Sequence, residues 1–229
     1  MVTLLIATGN AHKVGEIQAL LGDQFRCLTL KEFPGAPPVI EDAPTFAGNA
    51  AKKALALAGW LAGRSQTGGL DGQDPNLLVL ADDSGLEVDA LGGAPGVHSA
   101  RFAALDDGRP GNSPTAENNA KLLRLLEDVP LERRTARFRC ALVLATVVPA
   151  AGQAPGTGLQ TVFFEGECRG HILAEARGAQ GFGYDPFFVP EGYDQTFAEL
   201  GDEVKNVLSH RARAVATLRA WWEQTHSGG

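Results

Sequence analysis

Two adjacent carboxylates, Asp82 and Asp83, follow the apolar run Leu78–Ala81 and precede Ser84-Gly85. Like charges side by side are costly unless a cation lies between them or one is protonated. Carboxylate oxygens are the donors a hard cation such as Mg²⁺ takes. The run reads as a buried strand over 78–82, a tight turn at Ser84-Gly85 and a second strand over 86–89. Acids so placed lie at the rim of a sheet, where α/β proteins bind ligands. Asp-Asp-Ser-Gly is also an ordinary turn composition, so a metal site and a plain turn both stand on these residues alone.

Other segments carry chemistry of a compatible kind. Thr3–Ala7 is a continuous apolar run, followed by Thr8, Gly9, Asn10, Ala11, His12 and Lys13. Val14, Ile17, Leu20 and Leu21 then recur at helical spacing, giving a helix over 11–21. Backbone N–H groups at a helix start attract anions, and a first-turn lysine adds a point charge for phosphate. The spacing is not that of a Walker A loop, and a plain helix cap is the competing reading. Thr45 is the expected N-cap of a second helix reaching about Ala62, preceded by Glu41, Asp42 and Pro44. On that helix Asn49 and Lys53 share a face, while Lys52 points about 100° away toward solvent.

A third block is Gly181-Phe182-Gly183-Tyr184-Asp185-Pro186, leading into the apolar stretch Phe187–Val189. Its glycines let backbone approach a ligand, and Phe182 offers a stacking face. Near the C-terminus Lys205 and Asn206 precede Ser209-His210-Arg211, with Ala214, Leu218, Trp221 and Trp222 beyond. Ser209 caps a helix there, which sets His210 and Arg211 in the first turn. Cations at that end oppose the helix dipole unless an anion or a hydrogen-bonding ligand compensates.

Six motifs in this order resemble the inosine triphosphate pyrophosphatase family. They are Thr-Gly-Asn-x-x-Lys, Thr-Phe-x-x-Asn-Ala-x-x-Lys-Ala, Ala-Asp-Asp-Ser-Gly-Leu-x-Val-Asp-Ala-Leu, Gly-Ala-Pro-Gly-Val-x-Ser-Ala-Arg, Gly-Phe-Gly-Tyr-Asp-Pro and Ser-His-Arg. The resemblance spans roughly residues 2 to 222. It implies an elongated, two-lobed α/β fold with a central mixed β-sheet flanked by helices and a nucleotide cleft between the lobes. It also implies a cytoplasmic homodimer hydrolysing ITP, dITP and XTP to the monophosphate and pyrophosphate with Mg²⁺. By the same resemblance, Lys13 with the backbone of 8–13, and Lys53, hold the triphosphate. Glu41 and Asp83 hold Mg²⁺ directly or through water with Asp82 close by; Asp83, nearest the turn, is read from its position as the general base. Asn49 and Ser84 bind substrate, the latter at a phosphate or ribose oxygen. Phe182 stacks on the purine within the segment Phe182–Asp185, and Asp185, Lys205, His210 and Arg211 surround the base edge. One departure is Gly48, where the family often has glutamate.

Composition fits without deciding. At 229 residues and 44% hydrophobic, the chain can bury a sizeable core as a single domain. A net charge of −7 argues against broad binding to nucleic acid or anionic membrane. No apolar stretch approaches a membrane span, and Met1–Ile6 is too short for a signal-peptide core. Cys27, Cys140 and Cys168 are far apart and lack CxxC spacing, and they read as reduced core thiols. Residues 64–76 and 149–160, rich in Gly, Pro, Gln and Ser, read as mobile surface loops. Further elements are expected as a strand near 26–30, a helix near 114–127, and a hairpin of 136–148 with 160–172. A nucleotide sensor would have no need of the acids, and a sugar-phosphate hydrolase would have no need of the Phe182 and Arg211 pocket.

Overall fold

Apolar runs bounded by polar loops become strands wherever both faces are covered, and most of the expected runs do so. A computed structural model describes residues 1–65, 74, 77–147 and 160–226. Most of the segments 64–76 and 149–160 lie outside the described residues. Of them, Arg64 and Ser65 end a helix, and Asp74 accepts a hydrogen bond from Thr3 Oγ1 at 2.5 Å.

Six strands form one mixed sheet: β1 (Val2–Ile6), β2 (Phe25–Thr29), β3 (Leu77–Val88), β4 (Thr135–Thr146), β5 (Thr161–Ile172) and β6 (Phe188–Pro190), in the order β2-β1-β3-β4-β5-β6. β1 pairs in parallel with β2 and β3, and β5 runs antiparallel to β6. Thr146 N donates to Gln160 O, and Ile172 N donates to Arg134 O. Those two bonds tie opposite ends of β4 and β5, as antiparallel neighbours require. The helices are α1 (Ala11–Leu21), α2 (Phe46–Ser65), α3 (Thr115–Leu125), α4 (Phe197–Leu208) and α5 (His210–His226).

The structure departs from the sequence reading at β3, which runs unbroken through Asp82, Asp83, Ser84 and Gly85. Gly85 lies inside that extended strand and its φ is not positive, so the expected tight turn does not form. Its lack of a side chain serves close packing instead. A Cβ at Gly85 would collide with Ser99 Oγ and lie 2.6 Å from the Gly96 carbonyl oxygen. α4 was not anticipated, because Gly201 interrupts it at φ 75°, ψ 179° and breaks the helical period. The Thr196–Glu199 capping box that opens α4 was the signal available in the sequence.

By packing, the described chain divides into two compact units: residues 1–83, 141–165 and 214–229, and residues 84–140 and 166–213. In the first, Ala50, Ala54, Leu57, Ala58 and Leu61 of α2 pack on Leu5, Val79, Ala81 and Val143. Small residues along one α2 stripe let that helix lie close to the strands. The same unit holds the end of α5, where Trp222 meets Phe25 edge-on at 5.4 Å. In the second, Leu122 and Leu126 of the α3 region join Leu86, Val88, Phe102, Phe138, Phe188 and Phe197. Cys140 and Cys168 are buried, Cys27 is half-buried, and none of the three is in a disulfide. Among the described residues no helix is long and apolar enough to cross a membrane.

Candidate active site

Successive side chains of an extended strand point to opposite faces, and an unbroken β3 therefore sends Asp82 and Asp83 to different partners. Asp82, fully buried, pairs with Lys13 Nζ at 2.6 Å. Asp83 meets Lys53 Nζ at 3.5 Å through Oδ1 and accepts from Asn49 Nδ2 at 3.1 Å through Oδ2. Lys53 also reaches Glu41 Oε2 at 2.8 Å, so one ammonium is shared between two carboxylates. Burial pushes the Asp83 carboxyl above the usual carboxylate range, against the pull of Lys53 and Lys13. Perturbed acids held beside cations are the kind of group that functional sites use.

The local sequence builds this cluster in the first unit. Thr45 Oγ1 accepts from Gly48 N at 3.1 Å and caps α2, as the sequence predicts. One turn on, Asn49 is fully buried, and its Oδ1 accepts from Ala43 N at 2.9 Å. Its carboxamide thus ties the segment after Glu41 to Asp83, both ends engaged within the protein. Gly48 has a steric reason: a Cβ there would approach Ala43 Cβ to 2.8 Å and Thr45 Oγ1 to 3.0 Å. Lys52 pairs with exposed Asp42, in keeping with a solvated face. At α1, Asn10 Oδ1 accepts from His12 N and Lys13 N at 3.0 and 3.3 Å. Two of the orphan donors at that helix start are therefore capped by the chain itself, while Gly9, Asn10, Ala11 and His12 stay exposed.

Glu41 and Asp83 supply oxygen donors of the class that hard cations take. Among the described residues no three His, Cys, Asp or Glu side chains gather as a metal-holding group. The expected trio of Glu41, Asp82 and Asp83 is thus seen as a pair on Lys53 and a third acid on Lys13.

The other named residues cluster in the second unit. Arg211 is 1% exposed and donates through Nη2 to Ser84 Oγ at 2.7 Å. Ser209 Oγ accepts from Ala212 N at 3.1 Å and caps α5 as expected, and the buried His210 stacks on Phe138 at 4.9 Å. Asp185 Oδ2 accepts from Phe182 N at 2.8 Å and from Lys205 Nζ at 2.6 Å. The Lys205 ammonium also lies 4.6 Å from the centre of the Phe182 ring, a cation–π contact. Gly181 adopts φ +75°, and a Cβ there would collide with Asp185 Oδ2. Tyr184 is buried and donates its hydroxyl to Ser99 O at 2.8 Å, burial pushing its pKa up. Gly183 O accepts from Asn119 Nδ2 at 3.1 Å. Asn119 went unnoticed in the sequence, although tandem asparagines inside a helix are poor helix formers and a signal in themselves.

The first cluster ends at Asp83 and the second begins at Ser84, the next residue. The first offers paired cations and carboxylates for a phosphate group. The second offers an aromatic ring and a buried guanidinium for a planar polar base. A family model described as the Ham1 family matches residues 4–221. A dITP/XTP pyrophosphatase of Desulforamulus reducens is 50% identical over 214 residues, covering 93% of this chain and 91% of that one. Another of that name from Geobacillus kaustophilus is 45% identical over 230 residues, covering 100% of this chain and 98% of the relative. The structure of a HAM1 protein from Coxiella burnetii, 34% identical, superposes with a TM-score of 0.75, covering 98% of this chain and 100% of that chain.

Proposed function

The chain belongs to the Ham1 family, and from that premise we propose that it is a nucleoside triphosphate pyrophosphohydrolase. Its substrates are non-standard purine nucleotides (ITP, dITP, XTP and dXTP), cut to the monophosphate and pyrophosphate. The observation that carries this reading is Lys53 shared between Glu41 and Asp83, with Asp83 raised by burial. A carboxylate with a raised pKa is a suitable proton acceptor near neutral pH.

Lys13, Lys53 and the main chain of residues 8–13 bind the triphosphate, and Asp83 takes the proton of the attacking water. Glu41 and Asp83, with Asp82 nearby in sequence, are the residues that would hold Mg²⁺. Such ions are commonly held by one or two carboxylates and the substrate phosphates. When bound, Mg²⁺ neutralises charge developing on the phosphates. Lys53, within reach of both Glu41 and Asp83, supplies a cation for the phosphate oxygens.

For the base, Phe182 supplies the stacking face, backed by Lys205. Arg211 supplies donors that match a 6-oxo group and not the 6-amino group of adenine. Ser84, held by Arg211, takes a phosphate or ribose oxygen. The family resemblance supports a cytoplasmic homodimer. Incubation with ITP and Mg²⁺ should release pyrophosphate and IMP with little turnover of ATP. Release of orthophosphate, or equal turnover of ATP, overturns the reading.

A further inference from the structure

Asn119 stands on α3 beside Asn118, and the two carboxamides do different work. Asn118 Oδ1 accepts from Ala103 N at 2.8 Å, and its Nδ2 donates to Ala100 O at 3.2 Å. Both its ends are satisfied, and it anchors α3 to the chain around residues 100–103. Asn119 donates through Nδ2 to Gly183 O at 3.1 Å. A carbonyl can only accept, so this bond fixes which end of the carboxamide faces Gly183. The other end, Oδ1, is buried with no hydrogen-bond partner among the described residues. A buried acceptor without a protein partner is uncommon, and Asn119 differs in this from Asn118 beside it. Departures of this kind concentrate at functional sites.

The loop that Asn119 grips needs restraint from outside itself. Gly181 and Gly183 adopt left-handed φ of +75° and +64°, and their freedom must be limited by tertiary bonds. Asp185 holds Phe182 N from within the loop, and Tyr184 holds Ser99 through its side chain. The Asn119 bond does something else: it ties a glycine carbonyl, one residue from Phe182, to a helix. We propose that Asn119 is a positioning residue of the purine site, its carboxamide setting the Gly183 carbonyl and with it the stance of the Phe182 ring. This rests on the reading of Phe182 as the base-stacking residue.

The test uses the full-length enzyme with Asn119→Ala and the near-isosteric Asn119→Asp, which sets an oxygen against the Gly183 carbonyl. Steady-state kinetics with ITP are combined with inhibition by inosine, which has a base and no phosphate, and by pyrophosphate, which has phosphates and no base. KM for ITP and Ki for inosine should rise on the order of tenfold in both variants, as expected when one ordering contact is lost. kcat at saturation and Ki for pyrophosphate should stay near wild type, while the lost bond lowers the melting temperature modestly. A KM rise without a kcat change marks lost uniform binding. Unshifted KM and inosine Ki in either folded variant overturn the assignment. So does a parallel loss of pyrophosphate affinity and thermal stability, which marks a merely structural residue. Wild-type enzyme that turns over no ITP overturns the proposed function, and this assignment with it. Normal wild-type turnover with unshifted variants overturns Asn119 alone.

Discussion

Replacing Asp83 by asparagine should abolish turnover without weakening the fold, and the two effects have separate origins. Asp83 is 6% exposed, and burial is the largest influence on its pKa, raising it despite Lys53 and Lys13. A carboxyl whose folded pKa exceeds its unfolded value binds its proton more tightly when folded. Over the window from the usual carboxylate range up to that raised value, the folded state holds more protons, so stability falls as pH rises. Within that window the ionised Asp83 is a net cost to the fold, and a neutral isostere removes it. In Asp83→Asn the new carboxamide can still accept from Asn49 Nδ2 through its oxygen, while its NH₂ replaces the Oδ1 that lies 3.5 Å from Lys53. Catalytically the loss is of a proton acceptor, about 10²–10⁴-fold in kcat, or about 3–5 kcal/mol of barrier. Pyrophosphate release from ITP measures the first effect, and urea unfolding in chelator at pH 5 and pH 7.5 measures the second. Wild type should lose stability between those pH values relative to the variant. A variant keeping more than about a tenth of wild-type kcat, or one less stable than wild type at pH 7.5, refutes the reasoning.

Lys53→Met should cut kcat and also destabilise. It strips one ammonium from two carboxylates, at about 1–3 kcal/mol, less than for a fully buried pair because the Glu41 side chain is 36% exposed; unfolding at pH 5 should recover part of that loss as Asp83, raised by burial, takes up its proton. Arg211→Ala should lower kcat/KM for ITP by about 10² or more and that for ATP far less, and an unchanged ITP:ATP ratio would move base selection to Lys205 or His210. Gly85→Ala forces a Cβ against Ser99 Oγ and the Gly96 carbonyl, at about 1–3 kcal/mol in urea unfolding; a variant as stable as wild type would show that the segment holding Gly96 and Ser99 yields freely.

Sequence alone determined what depends on neighbours a few residues apart. The apolar run before Thr8 became β1, Asn10 and Thr45 became helix caps, and Ser209 capped α5, because capping and periodicity are decided within one or two turns. The six motifs likewise named the candidate site residues before any coordinates. What sequence could not decide was which of those residues face one another. Asp82 and Asp83 looked like a pair at a turn, and the sheet drew β3 straight through them, so that alternation gave them different lysines. Gly85 looked like a turn former and proved to be a space-maker, because the atoms it must clear belong to residues 96 and 99. α4 stayed hidden, since a single non-helical glycine disguised its period although the capping box was in plain view. Asn49 linked to Asp83 and Asn119 linked to Gly183 span 34 and 64 residues of chain. Hydrogen bonds of that range follow from how packed elements converge, and tertiary structure decided them because no local pattern encodes a partner so far away.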